Sequence, residues 1–245
     1  MGITGIYFHT AEKMPEIPDG TVQLCFASNP YSGRPDGKLD KEEYLAFLGT
    51  VYSECFRTLK PGGIFVTLNT DLRDHAKYNR GDRRFDGRLW RKHNDIALVA
   101  EDLGLRHFWT VIWQKTAGIP EVKYFDGRII GYSYVQFFCK DRLPPGGNPL
   151  EEHPDVWPLE DAMIRVDSNG YEFTEAIHPE IPRRCIRLFT KEGDVVLAPF
   201  TGSGTVQAAA HELNRNWVGY ETNKNLERLI SESIFGPIRP DIYKA

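Results

Sequence analysis

The stretch that most limits what this chain can become is Gly193-Asp-Val-Val-Leu-Ala-Pro-Phe-Thr-Gly-Ser-Gly-Thr205, with Val206-Gln-Ala-Ala-Ala-His-Glu-Leu213 and Asn216-Trp-Val-Gly-Tyr-Glu221 behind it. The apolar run at residues 195–197, set between Asp194 and Pro199, reads as a strand buried on both faces, and the alanine-rich segment from Thr205 as the helix after it. Gly202, Ser203 and Gly204 join the two. Glycines at such a junction let the backbone approach a ligand closely and aim amides at an anionic group beside a helix N-terminus. Glu221 closes the next apolar strand about twenty residues on, where an acid takes ribose hydroxyls in a nucleotide-binding βαβ unit.

A dinucleotide loop would carry a third glycine near position 207, and Gln207 stands there instead. A Phe-x-Gly-x-Gly loop with a downstream acid suits an adenosine-containing cofactor such as S-adenosylmethionine better than NAD. The same residues also suit a tight strand-to-helix turn that binds nothing. With 245 residues, 41% of them hydrophobic, the chain can bury one sizeable α/β core, or a core and a small appendage. A net charge of −4 does not advertise a nucleic-acid binder, although the mean can hide a local basic face. Cys25, Cys55, Cys139 and Cys185 lack any paired metal-ligand spacing and read as buried thiols of a reducing compartment, so no metal is expected. Without a signal peptide or an apolar run of membrane-spanning length, the expectation is a cytoplasmic protein with no membrane partner.

Periodicity predicts strands over residues 3–8, 21–27, 64–68, 107–113 and 129–139, and helices over 39–59, 96–103 and 183–190, with Asp40 as a helix cap. Pro61-Gly-Gly63 reads as the turn ahead of the third strand. The strand at 21–27 ends in Ser28-Asn29-Pro30-Tyr31. Parallel strands deliver their C-terminal residues to a ligand crevice, which would face these side chains toward whatever binds at Gly202; a proline turn closing a strand is the plainer reading. One tract is basic, with Arg73, Lys77, Arg80, Arg83, Arg84, Arg88, Arg91 and Lys92 interleaved with Tyr78, Phe85 and Trp90. It suits a loop that holds phosphates and slides a ring between bases, or else a solvated helix face. Residues 141–176 turn to Pro, Gly, Asn and acid, a short insert too small for a separate target-recognition domain, whose Glu151, Glu152 and Asp155 would repel phosphates if they faced the cleft.

Taken together, the order "strand, Ser-Asn-Pro-Tyr, long middle, His-Pro-x-x-Pro, strand, Pro-Phe-x-Gly-Ser-Gly-Thr" resembles the DNA amino-methyltransferases, in the circularly permuted branch whose catalytic motif precedes the cofactor motif. Leu59-Lys-Pro-Gly-Gly-Ile-Phe-Val66, Ile112-Trp-Gln-Lys115, Tyr132-Ser-Tyr-Val-Gln-Phe-Phe138, Asp155-Val-Trp157 and His178-Pro-Glu-Ile-Pro-Arg-Arg184 extend the likeness over most of the chain. The resemblance implies an α/β fold: one Rossmann-like methyltransferase domain over residues 1–245, a mostly parallel seven-stranded sheet, and S-adenosyl-L-methionine as cofactor. It implies cofactor contacts from Thr10, Pro182, Phe200, Thr201, Gly202, Ser203, Gly204, Thr205 and Glu221; within the basic tract, Arg80, Arg83, Arg84 and Arg88 are the candidates for substrate contacts.

The family's four-residue motif, usually Asp, Asn or Ser followed by Pro-Pro and an aromatic residue, answers a chemical problem. The lone pair of an exocyclic amine is delocalised into its ring, and two acceptors on its protons localise it toward the methyl donor. By resemblance Ser28 and the Asn29 carbonyl are those acceptors, Pro30 fixes the turn, and Tyr31 stacks on a base rotated out of the duplex. Serine in the first position resembles the cytosine-N4 members more than the adenine-N6 members. Three positions depart from the pattern: Asn29 replaces a proline, Ala198 an acid near the methionine end of the cofactor, and His9-Thr10 a Gly-Asp that meets the adenine. Asn29 offers either its carbonyl or its own side chain as acceptor. The expected substrate is DNA, acted on by a monomer or homodimer; an RNA or small nucleobase-like substrate, or a non-catalytic nucleic-acid-binding relative, are the alternatives.

Overall fold

The nearly all-apolar segment Val22-Gln-Leu-Cys-Phe-Ala-Ser28 forms a central strand whose side chains from Leu24 to Ala27 enter opposite cores in turn, as a period of two requires. The computed structural model describes residues 4–30, 41–73, 89–116, 131–142, 154–160 and 163–236. Its first half holds β1 (Gly5–Tyr7), β2 (Val22–Ser28), α1 (Lys41–Thr58), β3 (Leu59–Asn69), the short β4 (Leu72–Arg73) and β5 (Leu89–Trp90), α2 (Lys92–Asp102) and β6 (Leu105–Lys115). The second half holds β7 (Tyr132–Lys140), β8 (Val156–Leu159), β9 (Met163–Val166), β10 (Glu172–Ala176), α3 (Glu180–Phe189), β11 (Val195–Ala198), α4 (Thr205–Glu212), β12 (Asn216–Tyr220) and α5 (Glu227–Phe235).

The main sheet has eight strands in the order β1-β12-β11-β2-β3-β7-β6-β8. β7 runs against both its neighbours and the other pairings are parallel. Leu24 and Phe26 face one core with Ile181 and Cys185 of α3, Val206 of α4 and Ile230 of α5. Cys25 and Ala27 face the other, with Tyr44, Leu48 and Val51 of α1 and Ile96 of α2. The crossover from β2 through α1 to β3 leaves in one direction, and that from β11 through α4 to β12 in the other. A ligand crevice is therefore expected above the β2–β11 pair, outside the carboxyl ends of the strands.

The eighth strand is a correction to the seven expected, and its source is residues 141–176. This segment gives β8 to the sheet edge, buries Trp157 completely and forms the antiparallel β9–β10 pair. Strands of four or five residues broken by proline and glycine carry too little periodicity to register in sequence. Pro61-Gly62-Gly63 lies inside β3 as a bulge: Val22 pairs with Leu59, Leu24 already with Ile64, and Gly62 takes φ 77°. The proposed cap Asp40 lies outside the described residues. No helix among the described residues is long and apolar enough to cross a membrane.

The cofactor-type loop is packed unusually hard against β12. Gln207, at the position where a dinucleotide site wants glycine, is fully buried and donates to Thr201 Oγ1 at 3.1 Å. The glycine that close helix–strand packing demands is instead Gly219 on the facing strand, where a Cβ would collide with Thr201 Oγ1 and Gln207 Nε2. Gly219→Ala is therefore expected to cost about 2–3 kcal/mol, as overpacking of a rigid site does, and to shift the loop at residues 201–205. A denaturant melt reads the first effect and cofactor titration the second.

Candidate active site

All the parallel strands present their C-terminal ends at one edge of the sheet, and that edge opens into a cavity of about 500 Å³. β2 brings Ser28, Asn29 and Pro30; β11 brings Phe200, Thr201, Gly202, Ser203 and Thr205; β1 brings Thr10; β12 brings Glu221. β2 and β11 are hydrogen-bonded neighbours, Leu197 beside Cys25, so the Ser28 and Phe200 loops rise side by side from adjacent strands. Pairing of Tyr7 with Tyr220, continued by the Glu221 N–H bond to the Tyr7 carbonyl at 3.0 Å, brings the ends of β1 and β12 to the cavity that Thr10 and Glu221 both line.

Glu221 is the best-defined group in the cavity. Its Oε2 accepts from the Gly202 N–H at 2.9 Å and its Oε1 from the Thr222 and Asn223 N–H groups, each at 2.9 Å. Burial raises its pKa above the usual carboxylate range, with the three backbone donors pulling the other way. The glycine loop thus differs from the expected cradle of free amides. The Gly202 N–H goes to Glu221 and the Gly204 N–H to the Thr201 carbonyl at 3.1 Å, which suits an acid that receives hydroxyls rather than a nest for phosphate. Gly204 does not line the cavity. It sits at φ 79° as the left-handed cap of α4, with Ile230 so close that a Cβ would come within 3.2 Å. Pro182 lies buried in the first turn of α3, also off the cavity; Ile177 and Phe173 form that wall. His178 accepts from the Glu180 N–H at 3.2 Å at the start of α3, and burial lowers its pKa, as fits a neutral structural acceptor.

The Ser28 side of the cavity is held by buried polar groups. The Pro30 carbonyl accepts from the Tyr44 hydroxyl at 2.9 Å and from Lys92 Nζ at 3.1 Å. Lys92, counted in sequence with the phosphate-holding tract, is only 2% exposed, with its ammonium 4.5 Å from the centre of the Tyr44 ring. Trp90, read as a candidate for insertion between bases, is instead pinned: its ring packs edge-on against Tyr44 and its Nε1 donates to Asp95 at 2.6 Å. The Asn29 side chain is engaged at both ends, its Oδ1 by the Tyr52 hydroxyl at 2.9 Å and its Nδ2 by Asn69 Oδ1 at 2.8 Å. The side chain is thus already committed to partners within the fold.

Tyr31, Arg80, Arg83, Arg84 and Arg88 lie outside the described residues, as do Glu151 and Glu152. The β4–β5 pair, Leu72 beside Trp90, brings the two ends of the basic tract together next to Thr70 and Lys92 of the cavity wall. Asp155 accepts from Trp109 Nε1 at 2.7 Å at the far edge of the sheet and does not line the cavity.

Several lining residues escaped the sequence reading. Glu12 is held by the Thr10 hydroxyl at 2.9 Å, so a carboxylate stands two residues beyond the position where Thr10 gives one up. Phe47 of α1 packs against Phe200, ring centres 6.0 Å apart, and Tyr220 stacks on Tyr7 at 5.4 Å. Trp113, Lys115 and Ser133 reach the cavity because β7 enters the sheet antiparallel, setting its first residues beside the last residues of β6. The Ile112-Trp-Gln-Lys115 and Tyr132-Ser-Tyr motifs were visible, but only that pairing assigns them to the cavity.

Comparison with known proteins agrees with this geometry. Residues 22–232 match the N6/N4 DNA methylase family model. Type II methyltransferase M.MjaI of Methanocaldococcus jannaschii is 30% identical over 94% of this chain and 90% of its own length. M.BglII of Bacillus subtilis, also a type II methyltransferase, is 29% identical over 88% of this chain and 64% of its own length. Among solved structures, the PvuII cytosine-N4-specific DNA methyltransferase superposes with a TM-score of 0.76 at 17% identity, covering 98% of this chain and 88% of that one. A putative DNA modification methylase from Thermus thermophilus, solved with S-adenosyl-L-methionine, gives 0.69 at 24% identity over 96% and 97% of the two chains. With the family model spanning the sheet from β2 to α5 and the two motif loops meeting in one cavity, this chain belongs to the N6/N4 DNA methylase family.

Proposed function

We propose that this chain transfers a methyl group from S-adenosyl-L-methionine to the exocyclic N4 amine of cytosine in DNA. The observation that carries the reading is the meeting of the Ser28–Pro30 and Phe200–Thr205 loops, from adjacent strands, in one cavity. The residues present fit the cofactor. Glu221 offers a carboxylate to ribose hydroxyls, Phe200 and Phe47 offer ring faces to an adenine, and Thr10 with Glu12 offers acceptors at the adenine end. When bound, S-adenosyl-L-methionine supplies an electrophilic methyl on a positively charged sulfur.

The protein's part is to prepare the amine. Ser28 Oγ and the Asn29 carbonyl accept hydrogen bonds from its two N–H groups, concentrating the nitrogen lone pair on the side facing the glycine loop. As the new N–C bond forms, the methyl–sulfur bond breaks to leave a neutral thioether, and one amine proton is released to solvent. Tyr31 stacks on the extruded base, while the basic tract, tied at both ends beside the cavity, holds the phosphates. Cytosine is favoured over adenine by the serine at position 28.

Nucleoside mass spectrometry of DNA, RNA and free nucleobases incubated with protein and cofactor tests base, position and substrate class together. N4-methylcytosine in DNA alone is expected. N6-methyladenine would overturn the base assignment, and methylation confined to RNA or a free base would overturn the substrate.

A further inference from the structure

Position 29 departs from the family pattern in a way that the surrounding structure answers. A proline there would lock φ near −65° and so fix where the preceding and following carbonyls point. Asparagine leaves that torsion free, yet the carbonyl at this position must stay aimed at an amine within a few tenths of an ångström for the transfer geometry to hold. Two covalent restraints thus shrink to one, Pro30, which keeps residue 29 extended but does not fix its φ.

The lost restraint has a physical replacement. Tyr52 OH donates to Asn29 Oδ1 at 2.9 Å, and Asn29 Nδ2 donates to Asn69 Oδ1 at 2.8 Å. Asn69 Nδ2 in turn donates to Thr67 Oγ1 at 3.0 Å and reaches Gln136 Oε1 at 3.4 Å. Tyr52 and Thr67 are fully buried, and Asn69 and Gln136 are 3% exposed. The chain of bonds runs from the helix α1 through residue 29 to β3 and β7, neighbouring strands of the main sheet. Buried bonds of this kind are hard to exchange for water, so they hold a side chain far better than surface contacts do.

We propose that the Asn29 side chain is a tether: its bonds to Tyr52 and Asn69 fix the direction of the Asn29 carbonyl, replacing with a buried polar network the restraint that a proline ring supplies elsewhere in the family. Tyr52 and Asn69 are positioning residues in this scheme, acting on the substrate through residue 29. The inference rests on the amine-methyltransferase reading, because the carbonyl has to be aimed only if it receives an amine proton.

Tyr52→Phe tests it, since the ring that packs against Phe65 at 4.6 Å is kept and only the hydroxyl is lost. Turnover is expected to fall between about tenfold and a hundredfold, with cofactor affinity and DNA KM within about twofold of the original. The same change made in an Asn29→Pro background, which is expected to keep measurable turnover, should have no further effect, because the tether is already absent. Side-chain amide exchange by NMR gives a readout that needs no turnover: the Asn29 amide protons are protected in the original protein and lose protection in Tyr52→Phe. Equal losses from Tyr52→Phe in both backgrounds would mark Tyr52 as merely structural. Undiminished turnover in Tyr52→Phe, or none in Asn29→Pro with cofactor binding intact, would equally overturn the tether. Absence of methyl transfer by the original protein would instead overturn the proposed function, leaving amide protection to judge the tether alone.

Discussion

Glu221→Ala is expected to weaken binding of S-adenosyl-L-methionine by about a hundredfold, read by calorimetric titration. The magnitude follows from a hydroxyl-to-carboxylate hydrogen bond at the one acceptor position of Glu221 that the backbone leaves open, worth roughly 1.5–3 kcal/mol, the upper end of which is about a hundredfold in affinity. A second effect adds to it. The Gly202, Thr222 and Asn223 N–H groups that Glu221 now satisfies would be left without their acceptor, loosening the loop that faces the cofactor. Glu221→Gln separates the two, since one amide oxygen can serve Gly202 or the 222–223 pair but not both.

The same residue sets a pH dependence of affinity with a defined sign. Burial raises the Glu221 pKa above its value in an unfolded chain, so the fold favours the protonated form. Its contribution to the stability of the free protein is therefore full below the unfolded pKa and is lost as pH rises through the folded one. Ribose hydroxyls are best accepted by the ionised form, so cofactor affinity runs the opposite way and falls as pH drops through that raised pKa. In Glu221→Gln both trends should flatten. A pH-independent affinity in the original protein would remove Glu221 from the ribose.

How much of this was legible in sequence depends on the range of the interactions. The central strand and the strand-to-helix junction at Gly202 to Gly204 were readable because burial on both faces of a parallel sheet and a tight turn impose local composition, whereas the capture of the Gly202 N–H by Glu221 was not. Lys92 was misread because a basic tract looks alike whether its members are solvated or, as here, one is folded under against the Pro30 carbonyl and the Tyr44 ring. The tie between Tyr52, Asn29 and Asn69 spans forty residues and a whole crossover, and nothing in the local pattern of any of the three announces it. Gln207 and Gly219 show the same limit in packing. A missing glycine in one element is compensated by a glycine in the element it touches, which only the paired geometry reveals.

Ser28→Ala is the sharper test of chemistry, because it removes one proposed acceptor and almost nothing else. Ser28 ends β2 with its backbone paired to Leu68 and its side chain only half-buried at the cavity edge, so folding stability should change by no more than about 0.5 kcal/mol. Turnover should fall by about a hundredfold or more, the range set by losing one positioned hydrogen-bond acceptor on the reacting amine. The Asn29 carbonyl would sustain the residue of activity. Cofactor affinity should stay within about twofold, since the residues proposed to hold the adenosine follow β1, β11 and β12 rather than β2. A fall in kcat with unchanged cofactor binding marks an interaction made in the transition state rather than in the resting complex. If instead affinity fell and kcat held, Ser28 would belong to the cofactor's wall, and the amine would take its polarisation from the Asn29 carbonyl alone.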